Sequence, residues 1–151
     1  MTAPDKRIIE FIKKHHVLTL ATCVENESWC CNCFYVYLEE ENAFLFTSDS
    51  DTKHIRMATL NTKVSGSVVL ETNVIGKIMG IQFTGELIKV ENSDNSKYTI
   101  KYLSRFPFAI LHKTDLWKID IKIIKMTDNR LGFGKKLYWF RETNINPENE
   151  N

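Results

Sequence analysis

Between Leu45 and Val69 the chain reads LFTSDSDTKHIRMATLNTKVSGSVV. Within it, Thr47, Ser48, Thr52, Lys53 and His54 gather hydroxyls, a cation and an imidazole into one short turn. A phosphate dianion wants that mixture: hydroxyl donors, backbone N–H groups at a helix start, and one or two positive charges. Lys53 near a helix N-terminus opposes the macrodipole unless an anion is present. The competing reading is a solvated helix start, with Asp51 or Thr52 as its N-cap.

Four cysteines stand at 23, 30, 31 and 33. The C-C-x-C cluster lacks the paired C-x-x-C framework of a structural zinc site. In an extended segment Cys31 and Cys33 share one face and Cys30 takes the other. They read as small apolar fillers of strand positions, with a metal or redox role as the alternative. His15, His16 and His112 lie at no zinc-ligand spacing with another histidine or a cysteine, and no metal is expected. Glu86, Asp115 and Asp120 form no recognisable carboxylate pair. The GFGKK segment at 132–136 has a phosphate-nest flavour but lacks P-loop spacing, and a β-turn with surface lysines explains it. The aromatic and basic helix KYTIKYLSRF reads as core packing with a solvated face rather than as a base-stacking surface.

The elements that must carry these residues come from a chain of 151 residues with 20 Lys and Arg against 19 Asp and Glu. A single domain of that size buries roughly 70% of its unfolded surface. The near-neutral balance removes any global electrostatic case for nucleic acid or an anionic membrane, so an anion site must be local. The opening MTAPDKRIIEFIKK is a charged amphipathic helix rather than a signal peptide, and no apolar run approaches a membrane span. A cytoplasmic location is expected.

Asp5 to Lys14 spaces Ile8, Ile9, Phe11 and Ile12 as a helix. HVLTLATCV, the turn ENES and WCCNCFYVYLEE read as a hairpin, and AFLFT extends it into a meander. DTKHIRMATL is a short helix and KVSGSVVLE a fourth strand, with Gly66 marking a bulge or close backbone approach. KIMGIQFTGELIKVE is a long strand with bend points at Gly80 and Gly85. NSDNSKYTIKYLSRF is a capped helix that stops before Pro107. LWKIDIKIIKMTD alternates as a strand, and LYWFRE is a short final one. The expected fold is mainly β (α+β): a six- to seven-stranded antiparallel split β-barrel with short helices, one domain over 1–142 and a polar, disordered tail over 143–151.

The order helix, strand, turn, strand, turn, then Phe46-Thr47, Thr52-Lys53 and Asn61-Thr62-Lys63-Val64, resembles the FMN-binding split barrel of the pyridoxamine 5′-phosphate oxidase superfamily. More narrowly, WCCNCFYVY, IQFTGEL, RFPFA and TDNRLGFGKKLYW resemble the YhbP-like family, a bacterial branch of that superfamily. The resemblance spans about Asp5 to Arg141. It implies that Thr47, Thr52 and Lys53 hold the FMN phosphate, with Ser48 and His54 as further donors. It also implies that Asn32 stands where related oxidases carry an arginine near the flavin ring, that Phe34 to Val36 run beside the ring, and that Gln82 offers it an amide. The flavin of such proteins lies between two subunits, so a homodimer is expected, with Trp139 or the GFGKK loop approaching the partner's flavin.

Several features depart from that pattern. Asn32 replaces a cation, which shifts flavin electronics and substrate pairing. The Arg-Leu-Ala-Pro-like ending of the vitamin-making oxidases is absent, and ENESWCC replaces the Gly-x-Pro of the first hairpin. Pyridoxamine-phosphate oxidation is therefore not expected. The expectation is an FMN-dependent oxidoreductase whose catalytic residues, electron donor and substrate the sequence does not name. The alternative is a dimeric barrel that has lost flavin and serves as a binding or scaffold protein, or that holds another flat cofactor such as a tetrapyrrole or deazaflavin.

Overall fold

The computed structural model describes residues 3–111, 114–132 and 135–142. His112, most of the GFGKK loop's centre (Phe133 and Gly134) and the 143–151 tail lie outside the described residues. Helix α1 (Lys6–Lys14) starts at Asp5, whose carboxylate accepts from the Arg7 backbone N–H at 2.9 Å. That is the capping bond a helix start requires. Ile8, Phe11 and Ile12 form its buried stripe.

Strands β1 (Val17–Val24) and β2 (Glu27–Leu38) pair as a hairpin from Val17↔Phe34 to Val24↔Glu27. Its two-residue turn is Glu25-Asn26, with φ of 50° and 66°. Two successive positive φ values match the strand twist, which is why such turns close hairpins. Strand β3 (Ala43–Ser48) follows, then helix α2 (Lys53–Leu60), β4 (Lys63–Val69) and β5 (Met79–Lys89). Helix α3 (Asn92–Arg105), β6 (Asp115–Asp128) and β7 (Lys136–Phe140) complete the chain. A 3-10 turn at Ile75–Lys77 sits between β4 and β5 and takes Lys77 from the start of the expected fifth strand.

The strands run in the order β3-β2-β1-β4-β5-β6-β7, and β3 also pairs with β6. Six strands therefore close into an antiparallel barrel, and β7 is added outside the closure. Long β6 makes this possible: Asp115 to Asp120 pair with β3, while Ile123 to Thr127 pair with β7. Leu18, Leu20, Tyr35, Phe44, Phe46, Ile119 and Ile124 fill the interior with the α1 stripe. A second apolar cluster lies outside the wall, where Tyr98 and Tyr102 of α3 cover Leu38, Leu45 and Leu116. Burying each such side chain contributes about 2 kcal/mol.

One bond ties α1 to the barrel and two tie α3 to the end of α1. The Tyr35 hydroxyl donates to Ile12 O at 2.7 Å, and Arg105 donates to Lys13 O at 3.0 Å and His15 O at 2.5 Å. Sheet curvature comes from the Thr84/Gly85 bulge and from Gly66, as the glycine pattern anticipates. A Cβ built on Gly66 would lie 2.3 Å from Thr19 O and 2.4 Å from the Phe83 ring. Gly66→Ala should therefore lower unfolding free energy by about 3 kcal/mol, the upper end of overpacking costs. Urea denaturation measures it against Gly76→Ala, whose Cβ meets nothing within 4 Å. Equal midpoints for the two variants would show that the β1–β4 approach can relax.

Candidate functional site

Strand β3 ends at the barrel mouth that α2 covers, and its last two side chains point in opposite directions, as successive residues of a strand must. Phe44 and Phe46 face the interior, so Ser48 does too. Thr47 faces outward with Leu45, and its hydroxyl donates to Tyr102 Oη at 3.3 Å. The five residues of the TSDSDTKH turn thus separate. Ser48, Thr52 and His54 come together: Ser48 Oγ lies 2.8 Å from His54 Nε2 and 3.3 Å from Thr52 Oγ1, and Thr52 Oγ1 is 3.3 Å from His54 Nε2. The Ser48 carbonyl accepts from Trp117 Nε1 at 3.0 Å, which fixes this end of the strand. Thr52 occupies the N-cap position without capping α2; its hydroxyl donates instead to Asp49 O at 2.8 Å.

Lys53 leaves this group. Its ammonium donates to Glu27 Oε1 at 2.6 Å and lies 4.5 Å from the centroid of the Trp29 ring. The bond holds the Glu27 carboxyl below its usual range. Both side chains are largely exposed, so the pair adds little stability. Its effect is positional: a carboxylate, rather than an anion ligand, answers the charge of Lys53 at the helix start.

The residues that spacing in the sequence does not join are Cys31, Cys33 and His54. Cys31 and Cys33 face the interior of β2 in register with Leu20 and Leu18. Their sulfurs are 3.7 Å apart, and with a His54 ring nitrogen all three ligand atoms lie within 4.8 Å of one another. Alternation alone predicts the shared face of the two cysteines. Only the path of β3 into α2 delivers the histidine. Cys33 is buried, Cys31 half-buried, and Cys23 and Cys30 are exposed. The hydrogen bond from Cys33 holds the Cys31 thiol down to about 5 against the opposing effect of burial, and His54 adds to the lowering. The same bond, with burial, pushes Cys33 upward. Of the two, Cys31 is the thiol whose ionisation the surroundings favour.

The outer wall carries the other predicted residues. Asn32, Thr19, Ser67, Gln82, Lys125 and Tyr138 form one cross-strand row over β2, β1, β4, β5, β6 and β7. Thr19 Oγ1 donates to Asn32 Oδ1 at 2.9 Å. Asn32 and Gln82 are three strand spacings apart, about 14 Å. A shallow trough of about 460 Å³ follows this row past Gly66. Phe34 lies beyond the other side of Asn32, in an apolar cleft of about 530 Å³ shared with Thr47, Tyr102, Arg105 and Phe106. Its ring is 5.4 Å from that of Phe106. Trp139 corrects an expectation. It is 4% exposed within the main core, because its pairing with Ile124 turns it inward, and it is not a surface residue that reaches a partner.

No family model matches the chain. A UPF0306 protein of Photorhabdus laumondii is 42% identical over 134 residues, covering 89% of this chain and 94% of its own. The chain belongs to the UPF0306 family. The UPF0306 protein YhbP of Salmonella arizonae is 37% identical over 136 residues, covering 90% of this chain and 92% of its own. Solved structures with the UPF0306 barrel are far more distant in sequence. The heme binding protein of Mycobacterium smegmatis superposes with a TM-score of 0.77 at 15% identity, over 93% of this chain and 60% of that protein. A FAD-binding protein of Mesorhizobium loti gives 0.68 at 12% identity, over 80% and 91%. These likenesses establish a shared barrel. Among the described residues of this UPF0306 chain, no helix is long and apolar enough to cross a membrane.

In a Cys23→Ser/Cys30→Ser background, alkylation of Cys31 by iodoacetamide should hold its rate from neutral pH down to about 5 and fall below it, because the thiolate is lost there. Replacing Cys33 with alanine removes the S–H donor and should move that inflection upward. Peptide mass spectrometry reads both, and an unmoved inflection would mean that Cys33 does not hold the thiolate.

Proposed function

We propose that the protein is a cytoplasmic FMN-binding barrel of the split-barrel type, of the pyridoxamine 5′-phosphate oxidase-like superfamily, acting as a homodimeric oxidoreductase with flavin at the seam between subunits. The observation that carries this reading is the convergence of Ser48, Thr52 and His54 within 3.3 Å of one another at the start of α2, with Lys53 next in the chain and free to join them only by leaving Glu27. Hydroxyls, an imidazole, open helix N–H groups and a lysine fit a phosphate monoester. Thr47, on the far side of the wall with Phe34, would line the approach to the ring rather than grip the phosphate. The bound flavin would supply electron transfer, and the protein would position it and govern access.

A seam explains the distance between Asn32 and Gln82. On one barrel they are too far apart for a single ring edge, whereas the trough of small side chains between them (Thr19, Ser65, Ser67) suits the wall of a second subunit. One subunit's Asn32 would then face the ring from one side and the partner's Gln82 from the other.

The Lys53–Glu27 pair favours a second reading, a barrel of the same type that has given up flavin. A phosphate must compete with Glu27 for Lys53. The heme binding protein that shares the barrel makes a tetrapyrrole the other flat cofactor to look for.

The absorption spectrum of fresh protein and a titration with FMN distinguish these readings. Saturable quenching of flavin fluorescence at one FMN per subunit is expected. Lys53→Ala should weaken it about 10-fold or more, the scale of one charge-assisted bond, and Glu27→Gln should strengthen it by freeing the lysine. Absence of FMN binding in both the wild type and Glu27→Gln would establish the second reading, with a Soret band identifying a tetrapyrrole.

A further inference from the structure

We propose that Cys31, Cys33 and His54 form a zinc site at the barrel mouth, with three protein ligands and one open coordination position. Tetrahedral zinc with Zn–S bonds of about 2.3 Å holds its two sulfurs about 3.8 Å apart. Cys31 Sγ and Cys33 Sγ stand at 3.7 Å, and the His54 nitrogen falls within 4.8 Å of both. Two thiolates and one imidazole are a donor set for a borderline-soft ion, and calcium and magnesium prefer oxygen.

The surroundings support a ligand set better than a pair of packed thiols. Rigid elements place all three groups: the cysteines sit in the stretch of β2, Glu27 to Phe34, that pairs with β1, and the histidine sits in the first turn of α2. Ser48 Oγ and Thr52 Oγ1 hold the imidazole from the side of the mouth, as outer partners of a metal-bound histidine do. Burial is graded, with Cys33 buried and Cys31 and His54 half-buried, so the bound face is dry and the fourth position opens toward solvent. A disulfide suits the cysteines less well. Two residues apart on one strand, their Cα atoms are separated by about 6.7 Å, at the upper edge of what a disulfide spans.

A zinc with three protein ligands and an open position takes water or a small donor ligand, the arrangement of reactive rather than purely structural zinc. The site lies beyond the flavin reading and overlaps it at His54 and at Ser48 and Thr52, which hold the imidazole. Cobalt(II) is the probe, because its thiolate charge-transfer absorption reports sulfur ligation directly. Full-length protein carrying Cys23→Ser and Cys30→Ser, stripped with chelator, should take up one Co²⁺ per chain with that absorption, and Zn²⁺ should displace it. Cys31→Ser should remove at least half of that absorption, since Cys33 is the one sulfur left, while leaving the circular dichroism unchanged, since Cys31 is only half-buried. Ser48→Ala should weaken Zn²⁺ about 10-fold through the loosened imidazole. Lys53→Ala should leave metal uptake intact and Cys31→Ser should leave FMN affinity intact, so each reading can fail alone. No charge-transfer absorption, or absorption undiminished in Cys31→Ser, overturns the zinc site.

Discussion

Pairing between β3 and β6 is the constraint on which the rest of the molecule depends. Without it the strands form an open sheet with two raw edges; with it, six of them satisfy each other's backbone groups around a ring. Closure fixes the direction in which β3 leaves the wall, and hence where α2 arrives. Trp117 secures the exit by bonding the Ser48 carbonyl from β6, the same strand that makes the closure. The chemistry at the mouth is therefore a product of main-chain geometry before any side chain is chosen.

The second feature is how charge is arranged around a nearly neutral molecule. Its arginines act mainly as struts. Arg105 ties α3 to the end of α1, and Arg141 donates to Glu41 O and Asn42 O at 2.9 Å each, anchoring the end of β7 to the β2–β3 turn. Lys53 behaves differently. It is held at the surface by one exposed carboxylate and one indole, an arrangement weak enough for a stronger anion to displace. The fold spends its rigid contacts on shape and leaves its labile one next to the mouth.

Much of this was legible in the sequence, for physical reasons that differ between elements. The β1–β2 hairpin announces itself through β-branched runs around a polar turn, and α1 through four apolar residues at helical spacing. Gly66 was readable as a bulge or a close approach, and the nearness of Thr19 O and the Phe83 ring makes it the second. The site was less accessible. Period-2 alternation puts Cys31 beside Cys33 and separates Thr47 from Ser48, yet the row TSDSDTKH looks like one cluster when read linearly. Glu27, Trp29 and His54 meet their partners only through closure of the sheet. Trp139 misled for another reason: the family resemblance sent it toward a partner, whereas the pairing of β7 with β6 turns it inward beside Ile124.

The opposed directions of Thr47 and Ser48 bear on how such a chain tolerates change. Substitution at either residue alters one face of the wall and leaves the other in place. Adding or deleting a single residue between Phe44 and Phe46 would exchange the faces beyond it, sending the serine to α3 and the threonine to the mouth, and would push Phe46 out of the core. Length is therefore fixed in this stretch as firmly as the identity of its buried residues.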